Sequence, residues 1–436
     1  MSIEWITVLM FGGMIVLLLA GLPLAFVTGL IAVGFAIPLF GVNSLLLVSS
    51  RVYSFMSEYV LVSVPMFILM ASIMERSGVA RDLFNAMRVW AGKMAGGLAI
   101  QTMVAATIMG AMTGIIGGEI VLLGLVALPQ MLRLGYDRRL AIGTICAGGS
   151  LGTMIPPSIV LVIYGLTVNV SIGDLFAANV LPGLMMSGIY MLYIYIRCRI
   201  DPSLGPPAPI EERSIPIRDK LLQLRGLILP GVVAASVLGT IYFGIASVTE
   251  AAGMGVVGTL FAAWVRGELN REMLRAAAIQ TMLACGVLLW VSFGATAMIG
   301  VYNLAGGPAF VRQTMIGLDV PPLVIIFIMM GVLIVLGCLM DWVGICLLTM
   351  PIFVPIIKTL GYDAIWFGVL FCMNMQISYL SPPFGPAAFY LKGVAPPDMT
   401  LDEIFSALWP FMLMQAFALS MVIAFPWLAL WLPGLN

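Results

Sequence analysis

Histidine is absent from this 436-residue sequence, and only 9% of its residues carry charge. Six cysteines (Cys146, Cys198, Cys285, Cys338, Cys346, Cys372) are scattered with no CxxC pair, which argues against a zinc or haem site and against a disulfide scaffold. The 20 basic residues balance 20 acidic ones without clustering, so no DNA- or RNA-binding surface is expected. No nucleophile stands beside an evident base, leaving acid–base or metal catalysis few candidates; the chain does not read as an enzyme. No soluble domain of any size can be carved out.

What is present is apolar. At 62% hydrophobic residues and a mean hydropathy of +1.12, the chain is an integral membrane protein. Apolar runs of roughly 17 to 25 residues suit helices crossing about 30 Å of hydrocarbon, and the period-2 alternation of a barrel strand is missing. The expected fold class is therefore an all-α polytopic bundle. The N-terminal "MSIEWITVLMFGG" has neither a positive leader nor a small-residue cleavage site and reads as the first span.

Hydrophobic blocks near 5–20, 23–40, 56–75, 95–134, 141–167 and 175–196 precede a polar, Pro-rich stretch, "RCRIDPSLGPPAPIEERSIPIRDK". Blocks near 226–245, 248–265, 276–304, 323–358, 364–391 and 404–433 then replay the pattern. "PQMLRLGYD" from Pro129 and "PIIKTLGYD" from Pro355 align at an offset of 226 (361 minus 135), and the register carries on to Pro156-Pro157 and Pro382-Pro383 and to Tyr164 and Tyr390. This divides the chain into a first repeat (1–200), a linker (201–225) and a second repeat (226–436). Five single spans plus one long, twice-crossing or re-entrant block give each repeat odd parity, so the copies are inverted relative to one another. Charge agrees: a cytoplasmic linker puts seventeen basic residues inside and leaves Arg51, Arg312 and Lys358 outside, with both termini periplasmic.

Each long block breaks near its middle, at "GAMTGIIGGE" and at Gly337 to Gly344. Arms of roughly 16 residues at 1.5 Å per residue reach only about 24 Å, which predicts two re-entrant hairpins. The double prolines beside "AGGSLG" and in "YLSPPF" predict two broken helices, because each proline in a helix costs about 3 kcal/mol. Unwound backbone at membrane depth is tolerated only where protein buries it or a wet cavity receives it, and there its carbonyls can hold Na⁺. The candidate Na⁺ residues are Thr113, Gly114, Gly148, Gly149, Ser150 and Pro156 in the first copy, with Gly337, Asp341, Asn374, Gln376, Ser381 and Pro382 in the second. Candidate substrate residues are Glu119, Pro157, Ser158, Ser378 and Pro383. For the tip acids Glu119 and Asp341 a sodium ligand, a substrate-proximal charge and a buried partner of a scaffold arginine all stay open. Glu250, whose repeat counterpart has no acid, reads as structural.

The stretches "GGSLGTMIPPSIVLVIYG", "VTEAAGMG", "LLTMPIFVPIIKTLGYD" and "SPPFGPAAFYLKGVAPP" resemble the signatures of the large membrane subunit of TRAP (tripartite ATP-independent periplasmic) transporters, over residues 4 to 433. The resemblance implies an elevator-type carrier in the bacterial cytoplasmic (inner) membrane that imports a small organic acid or related solute on a Na⁺ gradient. It also implies a small four-helix membrane subunit and a periplasmic substrate-binding protein as partners, with the lipid bilayer as surroundings. The extra N-terminal helices of fused versions are missing, so the large subunit alone is expected. "TGIIGGE" differs from the Ser/Ala-rich tips of sialic-acid-type members, and that substrate is not carried over. The competing reading is a stand-alone ion-coupled anion symporter of similar fold; a channel would need a continuous polar pore that the sequence does not provide.

Overall fold

The computed structural model describes residues 1–114, 117–208, 216–318 and 320–435. Among these there is no strand, and the α-helices fall into two series. The first comprises α1 (Ile3–Leu19), α2 (Leu24–Phe40), α3 (Ser44–Met56), α4 (Ser63–Arg76), α5 (Val79–Arg88), α6 (Gly97–Thr113), α7 (Gly118–Arg133), α8 (Arg138–Ser150), α9 (Ile159–Val168) and α10 (Ile172–Ile200). After α11 (Ile217–Gln223), the second runs through α12 (Arg225–Tyr242), α13 (Val248–Val265), α14 (Arg271–Leu304), α15 (Gly307–Ile316), α16 (Pro322–Gly337), α17 (Trp342–Thr359), α18 (Ala364–Leu380), α19 (Pro386–Lys392), α20 (Leu401–Ala424) and the short α21 (Trp427–Leu430). Six helical stretches among the described residues are long and apolar enough to cross a membrane.

Local chemistry explains the most visible repeat. In "LGYD" the glycine ends one helix and the aspartate begins the next. Gly135 (φ 79°) and Gly361 (φ 82°) take the left-handed conformation, and the Tyr136 and Tyr362 amides reach back to the Met131 and Ile357 carbonyls at 3.0 and 3.1 Å. Asp137 then caps α8 by accepting from Leu140 N–H at 2.9 Å, and Asp363 caps α18 by accepting from Ile365 N–H at 2.6 Å. Glu250 closes a capping box with Ser247 at the start of α13, a structural role.

Two assemblies result. The scaffold interlocks the copies: α2 packs on α14, α13 on α4, and α4 on α14. The other body holds both hairpins (α6–α7 and α16–α17), both broken helices (α8–α9 and α18–α19), α10 and α20. It too is crossed, since α9 packs on α17, α19 on α7, α20 on α8 and α10 on α18. The arms α5 and α15 connect the bodies.

The hydrogen bonds orient the copies. Leu98 N–H donates to the Tyr136 hydroxyl at 3.1 Å, so both open ends of the first hairpin lie side by side. The start of the linker joins them: Gly96 N–H donates to the Gly205 carbonyl at 2.7 Å and Asp137 N–H to the Leu204 carbonyl at 2.9 Å. At the far end of α9, the buried Tyr164 hydroxyl donates to the Ala364 carbonyl at 2.6 Å. The two "GYD" turns therefore occupy opposite ends of the body, the antiparallel placement that inverted copies require.

Two stretches depart from the sequence reading. Residues 40–56 show no predicted span, yet α3 forms there, and at the 226 offset α3 and α4 together answer the single long α14. The first copy is interrupted at Ser57–Glu58, which leads into a 3₁₀ turn at Tyr59–Val62. The polar linker also contains a helix, α11, which packs beside arm α5, with the Lys220 ammonium 5.9 Å from the Trp90 ring centroid.

Candidate functional site

The first break is a 3₁₀ turn (Leu151–Thr153) followed by irregular backbone to Ser158. Its oxygens are occupied locally. Ser150 Oγ donates to the Ala147 carbonyl at 2.9 Å, Thr153 Oγ1 to the Ser150 carbonyl at 3.1 Å, and Ser158 Oγ to the Thr153 carbonyl. The Pro156-Pro157 and Pro382-Pro383 peptides are both cis. Between Ser381 and Gly385 the second break is spanned by a Gly385 N–H bond to the Ser381 carbonyl at 2.8 Å, while Ser381 Oγ donates to Ile377.

The hairpin tips lie against these breaks. Gly114, at φ 63°, ends α6 so close to the first break that a Cβ there would stand 2.0 Å from the Pro157 carbonyl oxygen. No side chain fits, and the conformation independently favours glycine. Ile115 and Ile116 of the same tip lie outside the described residues. Gly337 plays the corresponding part in the second copy, where a Cβ would meet Ser378 Oγ at 2.0 Å. Gly148 and Gly149 serve close helix approach: added Cβ atoms would reach Ala106 at 3.0 Å and Ile120 at 2.4 Å.

The structure brings the copies together around a cavity of about 310 Å³. Gly114, Thr153 and Ile159 line it from the first copy, Asp341, Trp342 and Tyr379 from the second, and Ala284, Leu288 and Val291 of α14 close it from the scaffold. Asp341 caps α17, accepting from Val343 N–H at 3.1 Å. No lysine or arginine lines the cavity among the described residues. Beneath it, Gln376 Nε2 donates to Thr153 Oγ1 at 2.6 Å, a bond between repeats. Asn374 donates to the Met330 carbonyl at 3.0 Å, whereas Asn374 Oδ1 and Gln376 Oε1 are buried without a partner. An unsatisfied buried acceptor costs about 1–3 kcal/mol, so these two oxygens are available to a ligand.

The remaining candidates are not gathered there. Pro382 and Pro383 are exposed, whereas Pro156 and Pro157 are buried. Ser158, Ser378 and Ser381 are buried in helix-end hydrogen bonds. Glu119 faces a separate cavity with Glu75, accepts a hydrogen bond from Thr113, and has no arginine partner among the described residues. Thr153, Trp342, Tyr379 and Glu75 escaped the sequence reading. Tyr390, noted there only as a repeat marker, also lines the 310 Å³ cavity. Thr153 carried a faint signal, as the second hydroxyl, after Ser150, between the glycine pair and the double proline.

Comparison with known proteins agrees with this architecture. The family described as tripartite ATP-independent periplasmic transporter, DctM component, matches residues 11–428. The C4-dicarboxylate TRAP transporter large permease protein DctM of Pseudomonas aeruginosa is 29% identical over 400 residues, covering 91% of each chain. The ectoine TRAP transporter large permease protein TeaC of Halomonas elongata is 30% identical over 434 residues, covering 98% of this chain and 99% of that one. The YdaH transporter of Alcanivorax borkumensis shares the fold, with a TM-score of 0.66 at 15% identity over 97% of this chain and 99% of that one. A family match spanning nearly the whole chain, two inverted copies and a cavity where their breaks converge lead to one conclusion: this chain belongs to the DctM component family, the large permease subunits of TRAP transporters.

Proposed function

We infer that this subunit imports a small organic acid or related solute on a Na⁺ gradient, with a periplasmic binding protein delivering the solute and a small four-helix subunit completing the membrane complex. The setting is the bacterial cytoplasmic membrane, with the linker cytoplasmic and both termini periplasmic. One observation carries the reading: two inverted copies meet at a shared cavity, but the body that bears the cavity sits unsymmetrically on its scaffold. The first tip meets α4 at Ala71, Met74 and Glu75, which at the 226 offset correspond to positions 297, 300 and 301 on α14. The second tip instead meets α14 at 284–291. That discrepancy of about ten residues is roughly 15 Å along a helix.

A symmetric pair of scaffolds must offer the mirror placement as an alternative, in which the first tip climbs towards 58–65 and the second towards 297–301. On this reading the two placements open the solute cavity to opposite sides of the membrane. Coupling follows if Na⁺ and solute bind better together than apart, because an ion shifts such an equilibrium only through its differential affinity. Asn374 Oδ1 and Gln376 Oε1, with unwound carbonyls beside them, are the sodium ligands of this reading. The solute sits between Thr153, Tyr379 and Trp342. With no basic side chain in the cavity, a carboxylate there relies on hydroxyls and on the N-terminus of α9.

The test is uptake into liposomes holding this chain and the small subunit, with the binding protein and sodium each added or withheld. Uptake that needs both supports the reading; uptake without the binding protein supports the stand-alone symporter, and uptake indifferent to sodium rejects ion coupling by Na⁺.

A further inference from the structure

Glu119 is 1% exposed, and its Oε2 has no hydrogen-bond partner. Its other oxygen accepts from Thr113 Oγ1. Together with Glu75 it lines a cavity of about 70 Å³, separate from the one shared by the breaks. Glu75 reaches the hairpin tip: a Cβ on Gly118, the residue before Glu119, would lie 2.7 Å from Glu75 Oε2. Gln280 completes the polar wall by donating Nε2 to Glu75 Oε2 at 3.3 Å, while its own Oε1 accepts from Arg76 at 2.8 Å. No lysine or arginine lines the cavity among the described residues; Arg76 reaches it only through the Gln280 amide.

Two carboxylates facing one small space, one of them sealed from solvent with an empty oxygen, form a site for a compensating cation. Buried charges persist when paired or when they coordinate metal. The charged donors are hard carboxylate oxygens, the volume suits one ion with one or two waters, and neither histidine nor cysteine lines the cavity among the described residues, where Met74, Met109 and Met112 supply apolar wall. We propose that Glu75 and Glu119 bind a sodium-sized cation between the scaffold and the first hairpin, as a site additional to the ligands at the helix breaks. It rests on the sodium-coupled reading above for the identity of the ion alone.

The two acids belong to different bodies, Glu75 to scaffold helix α4 and Glu119 to the hairpin. The site is therefore whole only in the placement described here. The mirror placement carries Glu119 away from Glu75 by about the same ten residues, so a cation held here stabilises the present placement over the other.

The experiment counts sodium bound to the purified full-length chain in nanodiscs by radioactive ²²Na⁺ equilibrium dialysis, alongside Na⁺-dependent melting, for wild type, Glu75→Gln, Glu119→Gln, the double variant and Asn374→Ala. Melting in choline chloride checks that each variant is folded. The proposal expects either Gln substitution to remove one bound sodium per chain and part of the sodium-dependent rise in melting temperature, the double variant to lose no more than either single one, and Asn374→Ala to remove a different ion. Wild-type counts in both folded Gln variants, with Asn374→Ala still losing an ion, overturn this proposal and leave the sodium-coupled reading intact. A change in pH dependence with an unchanged sodium count also overturns it, by assigning the pair to a proton. Should wild type bind no sodium at all, both readings fail together.

Discussion

The two helix breaks share a register and a double proline, yet they live in different surroundings. Every residue from Leu151 to Val160 is buried, whereas Pro382, Pro383 and Phe384 are exposed. The tips diverge in the same way. Gly114 is wedged against the first break, while its counterpart at the 226 offset is Met340, and the close approach of the second tip falls at Gly337, against Ser378 in the helix before the break. Nor are the tip acids equivalent: Asp341 maps to position 115, four residues before Glu119, so one acid caps a helix start and the other lies within the first turn. Copies of one sequence pattern thus become unlike sites, because different helices pack against each break and each tip.

The largest expected effect sharpens this contrast. Replacing Pro156-Pro157 by Ala-Ala removes two helix-breaking residues worth about 3 kcal/mol each from a sealed site, so the helix can close through the break. Sodium-dependent uptake should vanish while the amount of membrane-inserted protein on a blot stays unchanged; the same change at the exposed Pro382-Pro383 should leave measurable uptake. Gly114→Ala comes next. It meets the Pro157 carbonyl and a left-handed backbone that costs an L-residue about 1–2 kcal/mol. The melting temperature should fall clearly.

A third comparison concerns the bond joining the copies. Thr153→Val leaves Gln376 Nε2 buried without its acceptor, at about 1–3 kcal/mol, while Thr153→Val with Gln376→Leu should recover much of that stability in the same melting assay. Asp341→Ala should cost about 1 kcal/mol through the lost cap of α17, and Asp341→Asn much less. If Asp341→Asn nevertheless reduces uptake, the charge itself matters in the cavity.

The smallest effect lies at the surface. Arg138 pairs with Asp398 at 2.8 Å and Glu403 at 2.9 Å, while its counterpart in the second copy is Ala364. The Arg138 hydrogen bond holds the Asp398 carboxyl below its ordinary value. A depressed carboxyl contributes stability above the unfolded value, and that stability is lost as pH falls through the folded one. Asp398→Asn should therefore flatten the acid limb of a melting profile: the small loss of stability shows near neutrality, and the two profiles converge in acid, below about pH 4.

Much of the fold was legible because its signals are local. "LGYD" encodes a glycine stop and an aspartate start within four residues, and the double prolines mark the breaks wherever the chain runs. Helix α3 was not legible, since its polar Ser44, Ser49, Ser50, Arg51 and Ser54 dilute the hydropathy, and only its place opposite the long α14 reveals it as the other half of a span. At the site, the glycines and serines beside the prolines stood out by type. Thr153 meeting Gln376 across 223 residues, or Glu75 and Glu119 lining one cavity, depends on which helix faces which.

The sequence by itself determined that this chain lives in a membrane as helices, that it holds two inverted copies, and where each copy breaks, because hydropathy, capping and proline act over a few residues. Only the tertiary structure decided that one break is sealed and the other open, and that a scaffold glutamate faces a hairpin glutamate. Those outcomes follow from which helices pack against which across the two copies, contacts between residues far apart in the chain that no local pattern encodes.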